Sequence, residues 1–197
     1  MEVNELYCIG SNKFGQAGAG KKYHNQSFAI FNKIVFPVFI KQVVCGSHHT
    51  GLLTLEGLVY MMGSNINGAL GSPVSSINYS YSPILVPNLN DVNKISTGHY
   101  HMCAISEGRL YSWGKGVDGQ LGNGKLTNCS LPTEIDVFGD DVEDVSCGLN
   151  HTLVKTTSQK CYSFGNGIYG QLGIGSNKNS ALPTLVKIDK VTEIAAG

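Results

Sequence analysis

Leu110-Tyr-Ser-Trp-Gly-Lys-Gly-Val-Asp-Gly-Gln-Leu-Gly-Asn-Gly124 returns in altered form at three other places in the chain. Leu6-Tyr-Cys-Ile-Gly10 runs on to Gly15-Gln-Ala-Gly18, Val59-Tyr-Met-Met-Gly63 to Gly68-Ala-Leu-Gly71, and Cys161-Tyr-Ser-Phe-Gly165 to Gly170-Gln-Leu-Gly173. In each copy a Tyr stands three residues before a Gly, and further glycines follow five and eight residues after it. Gly10, Gly63, Gly114 and Gly165 are spaced by 53, 51 and 51 residues. One internal spacing held through four copies marks a repeat architecture, in which each unit buries its apolar face only by stacking on the next.

A second unit precedes the Tyr segment from the second copy onward. It reads Val43-Val-Cys-Gly46-Ser-His-His49, Ile95-Ser-Thr-Gly98-His-Tyr-His101 and Val145-Ser-Cys-Gly148-Leu-Asn-His151, each leading into a short apolar run. These runs are bounded by Gly and polar turns and are too short for ordinary helices, so they predict strands. Thr54–Gly57, Ser106–Gly108 and Thr156–Lys160 join the His strand to the Tyr strand as hairpin turns. Pro37, Pro83, Pro132 and Pro183 each head a further apolar segment, and Pro at the start of a strand costs no ladder bond. One period therefore holds about four short strands, the content of a propeller blade. The expected architecture is all-β, a single repeat domain with repeats at about 1–42, 43–94, 95–144 and 145–197.

Gly-x-x-His-Thr, then Val-Tyr-x-Trp-Gly and Gly-Gln-Leu-Gly-x-Gly, resemble the repeat of the regulator of chromosome condensation family. The resemblance runs from Leu6 to Gly197 and implies a seven-bladed β-propeller of which about four repeats are present. Trp113 alone keeps the family's tryptophan; Ile9, Met62 and Phe164 replace it as packing residues. The chain opens on a Tyr strand and ends at Val191–Gly197, where another Gly-x-x-His unit is due, so the expectation is the N-terminal half of a longer propeller, with a half-propeller completed by another copy or a partner chain as the rival. The function expected is a protein-interaction module acting as scaffold or regulator, and the resemblance implies the alternative, guanine-nucleotide exchange on a Ran-like small GTPase.

Composition limits the other classes. Fourteen basic residues balance fourteen acidic ones, which gives no field toward nucleic acid or anionic membrane. The longest apolar cluster, Ile34 to Ile40, falls far short of a membrane span, and the acidic start Met1-Glu-Val-Asn-Glu5 lacks a signal-peptide core. An intracellular protein, nuclear or cytoplasmic, is expected. The six cysteines include no Cys-x-x-Cys pair, and their repeat positions alternate with Thr, Ser, Met and Ala, which reads as core thiols.

Motifs that suggest chemistry yield to the repeat. Gly114–Gly119 and Gly165–Gly170 satisfy G-x-G-x-x-G, but no helical pattern follows to hold a pyrophosphate. Gly119–Lys125 nearly spells a phosphate loop, yet Leu126 stands where a magnesium-binding hydroxyl is required. His49, His101 and His151 are repeat-equivalent and belong to different blades, so they read as structural, along with Gly46, Gly63, Gly98, Trp113, Gly114, Gly148 and Gly165. No catalytic residue, cofactor or metal site is expected. Candidate partner-binding residues lie in the loops that do not repeat. They are Tyr23, Phe28 and Phe31 in the insertion 21–36, Tyr79 and Tyr81 in Ser75–Tyr81, and Asp140 and Asp141 in the acidic run Glu134–Asp144.

Overall fold

The computed structural model describes residues 5–73 and 77–197. Met1–Asn4 of the acidic start and Ser75–Ser76 of the tyrosine-bearing loop lie outside the described residues.

Strands alternate with tight turns throughout, and the described residues contain no α-helix, only two short 3-10 turns. The first sheet is a pair, β1 (Leu6–Ser11) with β2 (Ser27–Ile34). Three four-stranded antiparallel sheets follow, each a meander in chain order. They are β3 (Ile40–Cys45), β4 (His49–Thr54), β5 (Val59–Ser64) and β6 (Tyr79–Leu85); then β7 (Val92–Thr97), β8 (His101–Ser106), β9 (Arg109–Gly114) and β10 (Cys129–Glu134); then β11 (Val142–Cys147), β12 (His151–Thr156), β13 (Cys161–Gly165) and β14 (Ser180–Val186). These sheets are propeller blades standing side by side, and they do not close into a ring.

The His strands β4 and β8 are buried at every position, because sheets cover both of their faces. Between the second and third sheets the core holds Leu53, Met61, Leu70, Ile95, Met102 and Trp113. Between the third and fourth it holds Ile105, Leu110, Phe138, Val145, Val154 and Phe164.

The prolines do not head strands. Pro83, Pro132 and Pro183 lie inside the outermost strands, where three residues oppose one residue of the Tyr strand, as Tyr81-Ser-Pro83 oppose Met62. A Pro in that bulge gives up no ladder bond. In the first sheet the same bulge is Ala29-Ile-Phe31 opposite Ile9, so Phe31 holds the proline register and Pro37 falls in the loop after β2.

The thiols also depart from expectation. All six cysteines are unpaired; Cys103, Cys147 and Cys161 are buried, but Cys45 is exposed and Cys8 and Cys129 are only half-buried.

Candidate functional site on the loop face

Repeated residues form the junctions between the blades. The His49, His101 and His151 rings lie against the Cα of Gly46, Gly98 and Gly148, where any Cβ would fall inside van der Waals distance of the imidazole. The Gly-x-x-His spacing is therefore a steric requirement, with the glycine serving as the floor under the ring. His49 Nε2 meets Thr97 Oγ1 at 2.8 Å and His101 Nε2 meets Thr152 Oγ1 at 3.0 Å, both in the next blade. Each threonine hydroxyl already donates to a carbonyl, Thr97 to Gly98 and His101, and Thr152 to Gln120. Nε2–H must therefore be the donor in both pairs, and Nδ1 is left without a partner. Burial, reinforced by the neighbouring histidines, pushes the pKa of His49 down to about 3. His49 is thus a neutral junction pin and His101 holds the next junction through the same ring nitrogen, and no groups of three or more His, Cys, Asp or Glu that could hold a metal ion occur among the described residues.

Knobs reinforce the pins. Met62, Trp113 and Phe164 lean over Gly18, Gly71 and Gly122 of the preceding blade; a methyl group on Gly122 would stand 2.7 Å from Phe164 Cε2. Trp113 Nε1–H also donates to Ala69 O at 3.0 Å. Gly114 takes φ 98° as its strand passes His101, whose Cα would stand 2.9 Å from a Cβ there.

With the junctions spent on structure, what the molecule offers outward comes from the residues between Gly and His and from the loop after the Tyr strand. Ser64 N–H and Lys115 N–H donate to the carbonyls of His48 and Tyr100, which places both loop sets at one end of the blades. Five rings from the first three blades touch in succession there. Tyr79 stacks on Phe14 at 5.5 Å, Phe14 meets His48 at 4.6 Å, His48 meets Tyr100 at 5.9 Å, and Tyr100 meets His99 at 4.2 Å. Lys13 Nζ lies 5.3 Å from the Phe14 centroid, within cation–π reach. Tyr79 is 39% exposed, and the other four rings are half-buried. Partial burial followed by the charges of His48 and Lys115 lowers the pKa of His99.

The predicted site residues are distributed differently. Phe28 is buried and meets Tyr23 edge-on at 5.7 Å, so both hold the insertion in place. Tyr81 Oη and His24 Nδ1 meet at 2.8 Å, which clamps that insertion to the second blade. Phe31 is 70% exposed on the outer rim, away from the strip's ring contacts. Asp141 is held by the hydroxyls of Thr157 and Ser158, while Asp140 is exposed. Of the seven candidates only Tyr79 joins the ring strip. Phe14, His48, His99 and Tyr100 come from positions where each repeat carries a different residue, and that variability was their one sequence signal.

The fold and the site define a set of stacked propeller blades whose repeated residues stitch them together and whose variable loops face outward. Residues 56–105, 107–154 and 159–197 match the description "Regulator of chromosome condensation (RCC1) repeat", and residues 40–69 and 142–171 match a second form of it. The chain belongs to this family. It is 34% identical over 191 residues to the "Probable E3 ubiquitin-protein ligase HERC4" of Homo sapiens, covering 94% of this chain but 18% of that protein. It is 32% identical over 185 residues to the "Ultraviolet-B receptor UVR8" of Arabidopsis thaliana, covering 91% of this chain and 41% of the receptor. In three dimensions it superposes on Prp20p of Saccharomyces cerevisiae with a TM-score of 0.81 at 19% identity, covering 98% of this chain and 50% of that one. That structure was described together with the binding of Prp20p to Gsp1p and histones. The chain thus spans less than half the length of these curated relatives. No helix among the described residues is long and apolar enough to cross a membrane.

Proposed function

We propose that the chain is a non-catalytic protein-interaction module, a scaffold or regulatory element whose protein partner docks on the strip Tyr79–Phe14–His48–Tyr100–His99. The observation that carries this reading is the strip itself. Rings from three blades share one accessible end of a rigid scaffold and meet one another there, apart from the glycine–histidine pins and the aromatic knobs. Aromatic side chains already ordered against one another lose little freedom on binding and offer large contact areas. The six unpaired thiols fit a reducing, intracellular setting.

The test is capture of protein partners by wild-type chain and by Phe14→Ala/Tyr79→Ala, with Phe31→Ala on the rim as control. Binding lost only in the strip variant supports the face, and equal capture by all three sinks it. The alternative, exchange on a Ran-like small GTPase, requires faster release of labelled GDP from such a GTPase when the chain is added. This reading expects release at the uncatalysed rate.

A further inference from the structure

The balance of fourteen basic and fourteen acidic residues does not hold from one end of the blades to the other. The loops after the Tyr strands and the Gly-x-x-His turns share one end, where the Ser64 and Lys115 amides bond to His48 O and Tyr100 O. The hairpin turns and the connections between blades share the opposite end. There Val92 N–H donates to Gly57 O, Val142 N–H to Gly108 O and Leu55 N–H to Phe39 O.

Charge divides along that axis. Among the described residues, the loop end carries Lys13, Lys21, Lys22, Lys115, Lys125 and Lys178 against one carboxylate, Asp118. Lys115 Nζ neutralises Asp118 at 2.9 Å, and the other five lysines are exposed. The hairpin end carries Glu56, Asp91, Glu107, Asp136, Asp140, Asp141 and Asp189 against Lys160, Lys187 and Lys190. The chain is neutral in sum and dipolar along its blades. A face of one sign draws a partner of the other, over a reach of about 10 Å at 0.1 M salt.

The ring strip lies on the basic end, and Lys13 Nζ stands over Phe14 within it. Ile66, Val117, Leu149 and Ile168 are exposed in the same loops and add aliphatic surface. Single-stranded nucleic acid fits such a face poorly. Tyr79 and Phe14 stack on each other, which occupies ring faces that bases would need, and aliphatic side chains offer no stacking plane. Carboxylates carried among apolar side chains match both parts of the surface.

We propose, resting on the strip as the docking face, that the partner presents an acidic protein segment. Its carboxylates meet the exposed lysines, and its apolar side chains meet the rings and the aliphatic residues beside them. The acidic hairpin end repels the same segment, so the field also selects which end it meets.

The probe is a random-peptide display library selected on the wild-type chain. Retained peptides are then measured by fluorescence anisotropy against variants checked for native circular dichroism. They should carry Asp and Glu in excess of Lys and Arg, together with apolar residues. Affinity should fall about tenfold or more on Lys13→Glu/Lys21→Glu/Lys125→Glu and weaken as salt rises. It should fall on Phe14→Ala/Tyr79→Ala and hold on Asp136→Lys/Asp140→Lys. Peptides that need Phe14 and Tyr79 but show no acidic excess, or bind the lysine-reversal variant equally well, overturn the acidic partner and leave the strip standing. Peptides indifferent to Phe14→Ala/Tyr79→Ala, or no retained peptide at all, overturn the strip and the acidic partner together. A single-stranded DNA oligonucleotide that binds more tightly than every retained peptide overturns the proposal in favour of nucleic acid.

Discussion

The junction between the third and fourth blades and the junction between the first and second use the same residues in opposite states. At the third-to-fourth junction, Phe164 covers Gly122, His101 reaches Thr152, and Cys147 is buried. At the first-to-second, Met62 covers Gly18, but Thr50 has no imidazole against it among the described residues and Cys45 faces solvent. A repeat residue is therefore core or surface according to whether a neighbour is present, and its identity alone does not decide which. Stacked-repeat proteins in general owe stability to such interfaces as much as to the units themselves.

The largest expected effect sets one repeat position against itself. Trp113→Ala should cost about 3–5 kcal/mol, as large aromatic deletions from cores do, read from the denaturant midpoint. Ile9→Ala at the equivalent position should stay within about 0.5 kcal/mol. Similar losses at both positions would break the contrast between the junctions.

Next comes acid. In the folded chain His49 titrates near 3, whereas an unfolded histidine titrates near 6.5. Below 6.5 the unfolded chain binds the extra proton, so the contribution is complete above that pH and is lost as pH falls toward 3. At pH 5 the loss from His49 should be ~2 kcal/mol. His151, whose pKa burial also lowers, adds to the loss with the same sign. His49→Gln should flatten the midpoint against pH between 7 and 5 (about 1.4 kcal/mol for each unit removed); an unchanged slope would mean that His49 is not a neutral pin.

Smaller again is Thr152→Val. It removes the hydroxyl that accepts the buried His101 Nε2–H and should cost about 1–3 kcal/mol. Thr50→Val removes only a hydroxyl donor to Gln16 and should cost less, about 1 kcal/mol. Reversal of that order would sink the role given to the histidine pins.

Much of the fold was legible in the sequence because the repeat fixes local geometry. The glycines mark where a strand passes a neighbour too closely for a Cβ, and the hairpin turns fall between periodic apolar runs. The proline register was not legible, because the outer-strand bulge inserts three residues against one and carries Phe31 where proline is found elsewhere. The ring strip was still less so. Phe14, His48, Tyr79 and Tyr100 lie far apart in sequence, and only the side-by-side stacking of blades brings them into contact. Tyr23 and Phe28 show the opposite case: an aromatic-rich insertion reads as a binding loop, and in the fold these two rings pack on each other.

Native-state thiol labelling followed cysteine by cysteine tests the contrast between junctions most directly. Cys45 should react at the rate of a solvent-exposed thiol, while Cys103 and Cys147 should react only as fast as the protein opens. Cys147 labelling at the rate of Cys45 would show that the third-to-fourth junction is no better sealed than the first, and the account of the blade junctions would fail.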